Sequence, residues 1–296
     1  MRLTPLEQAQ PRPRRVAVGE FDGVHLGHRE VIRGADTVLT FDPHPLSVIH
    51  PEAAPKLLTS TEVKADLVAS LGVEEMVVIR FDRDFARLEP QEFIDQVLVG
   101  RLGARAVAVG ENFRFGHRAG GDPELLRAQP GFRTRVAPLV EVEGEIVSSS
   151  HIRGLVLAGE VEHAAAFLGD PFQLRGTVVE GDRRGRDLGF PTANLVPDDR
   201  LVCPGHGVYA CLANGRCAAV NVGVRPTFES GRGVLVEAYI MDFDADLYDQ
   251  ELRLEFLTRL RGERRFGSVD ALVERMRLDV DQAREACRRS ATVPRR

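Results

Sequence analysis

The sequence predicts two modules: an α/β domain with a parallel sheet over residues 1–170, then an antiparallel β-barrel with a terminal helix over residues 171–296. Three observations predict this. In the first half, strand-like apolar runs alternate with segments of helical spacing, as in parallel strands joined by helices. From about Pro171, short strand-like runs follow one another with only glycine- and proline-bearing turns between them. The last segment, 269–287, returns to helical spacing.

Residues 1–15 are polar, proline-bearing and basic; without the apolar stretch of a secretory signal they read as a frayed tail. Val16-Ala17-Val18 is the first strand. It runs into Gly19-Glu20-Phe21-Asp22-Gly23-Val24-His25-Leu26-Gly27-His28, a glycine-bearing turn that opens a helix. Such a junction is where α/β proteins hold phosphates, because free amides and the positive end of the helix dipole face the ligand. His25 and His28 are three residues apart and share a helix face. Gly27 removes a side chain where a phosphate would come close. Only twelve residues, 29–40, separate His28 from Phe41, and Gly34 lies among them. The crossover helix is therefore predicted to be about two turns long, near the least that a right-handed crossover allows.

Val38-Leu39-Thr40-Phe41, Met76-Val77-Val78-Ile79 and Ala106-Val107-Ala108-Val109 are the next strands, with helices over 61–71 and 90–102. Ligands of such sheets bind beyond the carboxyl ends of the strands. Residues 19–28, Asp42-Pro43-His44-Pro45 and residues 110–116 all fall there. Ser148-Ser149-Ser150-His151-Ile152-Arg153 starts another helix, with serines as caps and His151 as a solvated residue. An arginine in a first turn is unfavourable unless an anion is present. Asp82 and Asp84 read as surface charges.

In the second half, strands are expected over 174–179, 208–213, 218–222, 234–242 and 251–256. Residues 175–195 lead from a strand into a glycine- and arginine-bearing loop whose amides can enclose phosphates. Thr192 and Asn194 offer the neutral oxygens that suit Mg²⁺ bound mainly by water and phosphates. Taken alone, Pro191-Thr192-Ala193-Asn194 reads as a turn in a polar hairpin. Asp242, Asp244, Asp246 and Asp249 lack the closing ligand and glycine of a calcium loop and read as a charged hairpin.

Composition sets the outer limits. With 43% hydrophobic and 28% charged residues the chain can bury a core, and no apolar run approaches a membrane span. A net charge of -5, with neither half strongly basic, argues against nucleic-acid binding by bulk charge. Cys203, Cys211, Cys217 and Cys287 form no C-x-x-C pair, which argues against zinc, and the chain length argues against a disulfide framework. A cytoplasmic protein, monomeric or weakly homo-oligomeric, is expected. Lysine occurs only at 56 and 64, which reads as compositional drift.

Four motifs of the first half, taken in order, resemble one family. They are Gly19-x-Phe21-Asp22-Gly23-x-His25-x-Gly27-His28, Thr40-Phe41-Asp42-Pro43-His44-Pro45, Gly110-Glu111-Asn112-Phe113-Arg114-Phe115-Gly116 and Ser148-Ser149-Ser150-His151-Ile152-Arg153. Together they resemble the FMN adenylyltransferase module of bacterial bifunctional riboflavin kinase/FAD synthetases. Residues 182–194, Pro204-Gly205-x-Gly207-Val208-Tyr209, Asn221-Val222-Gly223-x-Arg225-Pro226-Thr227-Phe228, Val236-Glu237-Ala238-Tyr239 and Arg261-Gly262-Glu263-Arg264-Arg265-Phe266 look like its riboflavin kinase module.

The resemblance implies a Rossmann-like nucleotidyltransferase domain before a kinase barrel. It implies that riboflavin and ATP give FMN and ADP, and that FMN and ATP give FAD and pyrophosphate, with Mg²⁺ in both reactions. By the same resemblance Gly19, Phe21, Asp22, His25 and His28 hold ATP, and Ser149 and Arg153 close on its triphosphate. Asn112 lies near the reacting phosphates. Phe113 is either a flavin platform or a core residue. In the kinase, Gly181, Gly185, Thr192 and Asn194 hold Mg²⁺-ATP, Glu237 is the base, and Arg261 and Phe266 lie near the flavin. The family usually has a longer helix after the histidines. The short one leaves open a kinase whose first half is weak or only a scaffold. A non-catalytic flavin-sensing regulator is the third reading, and retention of both reaction centres argues against it.

Overall fold

Six parallel strands, β1 (Arg2–Pro5), β2 (Arg14–Val18), β3 (Thr37–Asp42), β4 (Glu75–Arg80), β5 (Ala104–Gly110) and β6 (Arg133–Ala137), form one sheet in the order β1-β4-β3-β2-β5-β6. The structure is a computed structural model describing residues 1–180, 188–224 and 234–292. Its chain divides into two units, Met1–Ser149 and Ser150–Arg296, so the helices Ser149–Ala158 and Val161–Leu168 group almost wholly with the second.

Apolar side chains leave both faces of this sheet, which is why its strands read as continuous apolar runs. Val16, Val18, Leu39, Val107 and Val109 pack on one side against Phe93, Ile94, Val97 and Leu98. These four lie on a π-helical stretch, Phe93–Arg101, that continues the turn Pro90–Glu92. Ala17, Val38, Met76 and Ala108 pack on the other side against Val31, Ile32 and Val68. The crossover from β2 to β3 carries the helix Leu26–Ile32, seven residues long; it ends at Ile32, one turn beyond His28, where residues 29–36 are expected to allow about two.

The amino terminus is not a frayed tail. β1 pairs in parallel with β4, and the chain behind it converges on Glu75. Thr4 Oγ1 donates to Glu75 Oε1 at 2.9 Å, while Arg12 Nη2 and Arg14 Nη2 donate to Oε2 at 3.1 and 3.0 Å. The side chains of Arg14 and Glu75 are 1% and 2% exposed. Burial pushes the Glu75 carboxyl up, and the donors from Thr4, Arg14 and Arg12 outweigh it and hold the group below its ordinary range. Sequence pattern missed β1 because a four-residue edge strand carries too little periodicity.

Replacing Glu75 by alanine leaves Arg14 buried without its counter-charge, which is expected to cost about 3–5 kcal/mol. Denaturant unfolding measures this, and a loss below about 1 kcal/mol would refute it. Because the folded carboxyl is depressed, its contribution is present above the unfolded pKa and is lost as pH falls through the folded value.

In the second unit β9 (Phe172–Val179), β10 (Ala193–Pro197), β11 (Gly207–Ala213), β12 (Arg216–Val224), β13 (Val234–Ile240) and β14 (Glu251–Arg261) close into a barrel, ordered β10-β13-β12-β11-β14-β9. Between the units' sheets in sequence lies a small hairpin, β7 (Glu141–Val142) with β8 (Glu145–Ile146). Val236, Ala238 and Ile240 are buried on β13, so Glu237 and Tyr239 point to its other face. The helix Val269–Thr292 lies along β11, β12 and β14, burying Ala283 and Ala286 against Ala210 and Met241.

Two expectations are corrected here. Pro191-Thr192-Ala193-Asn194 is not a turn, because Ala193 begins β10 and Asn194 pairs within the ladder. Cys217 and Cys287 form a disulfide, with Cα atoms 5.9 Å apart. It joins β12 to the terminal helix across 70 residues of sequence, a proximity that only helix-on-barrel packing creates.

Candidate active sites

The first site grows from the end of β2. Gly19 lets the Phe21 ring come close, since a Cβ there would lie 3.0 Å from it. Phe21 and Val24 hold φ values of 53° and 44°, a left-handed backbone that is costly for a β-branched residue. The turn is held in this form from outside. Asp22 Oδ1 accepts from the amides of Leu58 and Thr59 at 2.8 and 3.1 Å, and the Ser149 hydroxyl donates to the Asp22 carbonyl at 2.9 Å. Asp22 is buried and fastens the turn to the 58–59 segment.

His25 caps the helix: its Nδ1 accepts from the His28 amide at 3.2 Å. The two imidazoles stack with centroids 3.5 Å apart, and Phe21 meets His28 edge-on at 5.4 Å. Gly27 makes room for the His25 ring, which a Cβ would approach to 3.2 Å. Burial pushes His25 down to about 4, aided by the Arg29 charge. Burial, then the charges of His25 and Lys64, pushes His28 well below its ordinary value. Both rings are therefore neutral at pH 7. His28 Nδ1 is buried without a hydrogen-bond partner, as a group awaiting a ligand would be.

Beside the histidines lies a group that sequence reading missed. The Lys64 ammonium, with its side chain 5% exposed, donates to the Glu20 carbonyl at 2.6 Å and meets Thr40 Oγ1 and Glu20 Oε1 at 3.3 and 3.4 Å. Burial pushes Glu20 up to about 7 against the opposing pull of Lys64. Of the two lysines, Lys56 is exposed and Lys64 is buried in these contacts, which residue rarity alone does not distinguish.

Asn112 is exposed on the loop after β5. Phe113 stacks on Phe115 at 5.6 Å and packs on the core beneath. Phe115 lines a cavity of about 720 Å³, together with Phe41, Phe81 and Phe85, and with Arg83 and Arg114 at its edge. His44 caps the helix Pro45–Ile49, accepting from the Leu46 amide at 3.1 Å. Arg153, one turn beyond Ser149, is counted with the second unit and is half-buried. His151, expected in solvent, is half-buried with its ring 4.8 Å from that of Phe167.

The second site lies on the outer face of the barrel. Asn194, Glu237 and Asn221 stand in one row across β10, β13 and β12, each opposite the next in register. Residues directly opposite in a ladder share a face. Asn221 Nδ2 donates to Glu237 Oε2 at 3.2 Å. Glu237 and Asn221 line a cavity of about 590 Å³, closed by Phe266 and by Met276 of the terminal helix. Asn194 lines a neighbouring cavity of about 380 Å³ with Tyr248, and Thr192 borders both. Arg261, at the wall of the larger one, is held by buried Asp279 through Nη2 at 2.8 Å and lies 5.7 Å from the Phe266 ring centroid. Gly181, Gly185 and residues 225–228 fall outside the described residues.

Comparison with known proteins identifies a family for each half of the chain. The family model described as FAD synthetase matches residues 7–151, and that described as riboflavin kinase matches 168–287. The bifunctional riboflavin kinase/FMN adenylyltransferase of Bacillus subtilis is 37% identical over 292 residues, covering 90% of each chain. That of Escherichia coli K12 is 36% identical over 298 residues, covering 95% of each. A crystal structure described as a macrolide-efflux protein from Streptococcus pneumoniae superposes with a TM-score of 0.86 at 31% identity, over 96% of this chain and 99% of that one. Among the described residues no helix is long and apolar enough to cross a membrane.

Proposed function

The chain belongs to the bifunctional riboflavin kinase/FMN adenylyltransferase family, and from that premise we propose which residues carry each reaction. It phosphorylates riboflavin to FMN and adenylylates FMN to FAD, with ATP as co-substrate of both. We assign the kinase to residues 171–296 and the adenylyltransferase to 1–170.

The row Asn194–Glu237–Asn221 carries the kinase reading. Riboflavin occupies the larger cavity, between Phe266 and the helix, with its ribityl chain toward Glu237. ATP occupies the neighbouring one, so that Thr192 marks where the γ-phosphate meets the 5′-hydroxyl. Glu237 takes the hydroxyl proton as the oxygen attacks phosphorus and ADP leaves. The donor set fits Mg²⁺: Thr192 and Asn194 offer neutral oxygens to a hard cation that arrives with phosphates. Such an ion would neutralise charge on the transferring group.

Asn221 leaves one Glu237 oxygen for the hydroxyl by occupying the other. Asn221→Leu is expected to slow FMN formation about tenfold, the worth of one hydrogen bond to a charged group. Initial rates from riboflavin measure this; an unchanged kcat would remove Asn221 from the site.

In the first unit, the stacked histidines and the amides of the turn receive the ATP phosphates. An FMN phosphate oxygen attacks the α-phosphorus and pyrophosphate leaves, a step that needs position and charge stabilisation more than proton transfer. The aromatic cavity with its arginine edge suits a flat anionic flavin. Chromatography of products from riboflavin, ATP and Mg²⁺ tests the pair. FMN accumulating without FAD would leave a kinase with a scaffold half.

A further inference from the structure

A seven-residue helix is below the length at which helices hold themselves. Its last carbonyls have no amides ahead of them and need donors from elsewhere. In the helix Leu26–Ile32 each of these carbonyls can be accounted for. Arg29 O accepts from the Arg33 amide at 2.9 Å, and Ile32 O accepts from the Ala35 amide at 2.9 Å. Gly34, at φ +76°, turns the chain back between them. The carbonyls of Glu30, Val31 and Arg33 accept from Arg135 Nη2 at 3.0, 2.7 and 3.0 Å. Arg135 Nη1 also lies 3.6 Å from Glu30 Oε1.

In a continuing helix these three carbonyls would accept from the amides of residues 34, 35 and 37. Here one side chain from the sheet's edge strand does the work of the absent turn. A cation at a helix C-terminus also opposes the dipole favourably.

We infer that Arg135, on β6, is a positioning residue for adenylyl transfer: its guanidinium completes the short helix that has His25 at its cap and His28 in its first turn. This rests on the assignment of those histidines to ATP phosphates. The rod between the two ends is so short that a frayed C-terminus reaches the histidine turn. His25 caps the amino end through the His28 amide, Arg135 caps the carboxyl end, and only Val31 and Ile32 are buried between. Losing one end therefore moves the stacked rings, while the kinase site in the other unit is untouched.

The test is Arg135→Met, which keeps an unbranched stem and removes every donor, with Arg135→Lys as the conservative variant. The expected result for methionine is a rise of about tenfold or more in KM for ATP during FAD formation from supplied FMN. The kcat should fall less, and FMN formation from riboflavin should stay at the parent rate. Amides of residues 29–33 should exchange faster while those of β5 keep their protection. Lysine should recover part of the ATP KM, because an ammonium still reaches the carbonyls. Unchanged ATP KM with unchanged exchange overturns the inference. So does a joint fall of both activities with a lowered Tm, which marks Arg135 as a general prop. His28→Ala separates the premise: if it kept FAD formation, the histidine assignment would fail, while faster exchange at 29–33 in Arg135→Met would still place the cap.

Discussion

Glu237→Gln is expected to slow FMN formation from riboflavin by about 10²–10⁴ and to leave FAD formation from supplied FMN at the parent rate. The substitution keeps size and the register across β10, β13 and β12. What it removes is the ability to take a proton. A positioned general base contributes about 10²–10⁴ in rate, so kcat should fall by that factor with little change in the KM for ATP. Asn221 acts through this carboxylate, donating to Oε2 at 3.2 Å, and glutamine can still offer it an acceptor oxygen but no base. The double variant Glu237→Gln with Asn221→Leu should therefore be little worse than Glu237→Gln alone. Residual FMN formation within tenfold of the parent would remove Glu237 as the base.

His28→Ala is expected to do the reverse, lowering FAD formation by about 10²–10³ and sparing the kinase, the scale seen when one preorganised stabilising group is removed. Removing the ring also takes away the stacking partner of His25 and the edge contact to Phe21. The His28 amide, which binds His25 Nδ1, remains, so the helix cap persists. In the parent, His25 is neutral in the fold down to about pH 4, whereas the unfolded chain takes up that proton near 6.5. The unfolded state thus binds more protons in that interval, and stability from this group falls as pH drops from about 6.5 toward 4. FAD yield equal to the parent from FMN and ATP would refute the assignment.

Much of this was legible in residues alone. The histidine turn was legible because the phosphate site we propose there needs local sequence only: glycines for the backbone and polar groups at fixed spacing. That the crossover helix is short was a matter of counting. Glu237 came from its motif, and alternation along β13 then put it on the outward face. Lys64 and Asn221 were harder. Each acts through a partner distant in sequence, Glu20 and Thr40 for one and Glu237 for the other. Residue spacing does not encode such pairings. The same holds for β1, whose reason for order lies at Glu75.

Read in order, the residues were enough for the two-module order, the parallel sheet and the barrel, and for the residue types that we propose for both reaction centres. These depend on periodicity and on chemistry carried within short segments. Tertiary structure alone decided three things. It set Asn194, Glu237 and Asn221 in one row by strand register. It brought Cys217 to Cys287 by laying the last helix on the barrel. It gave the shortened helix its missing donors from Arg135, about a hundred residues away along the chain. The physical reason is common to all three: hydrogen-bond satisfaction and burial are conditions on neighbours in space, and a chain read in order names the groups without naming their neighbours.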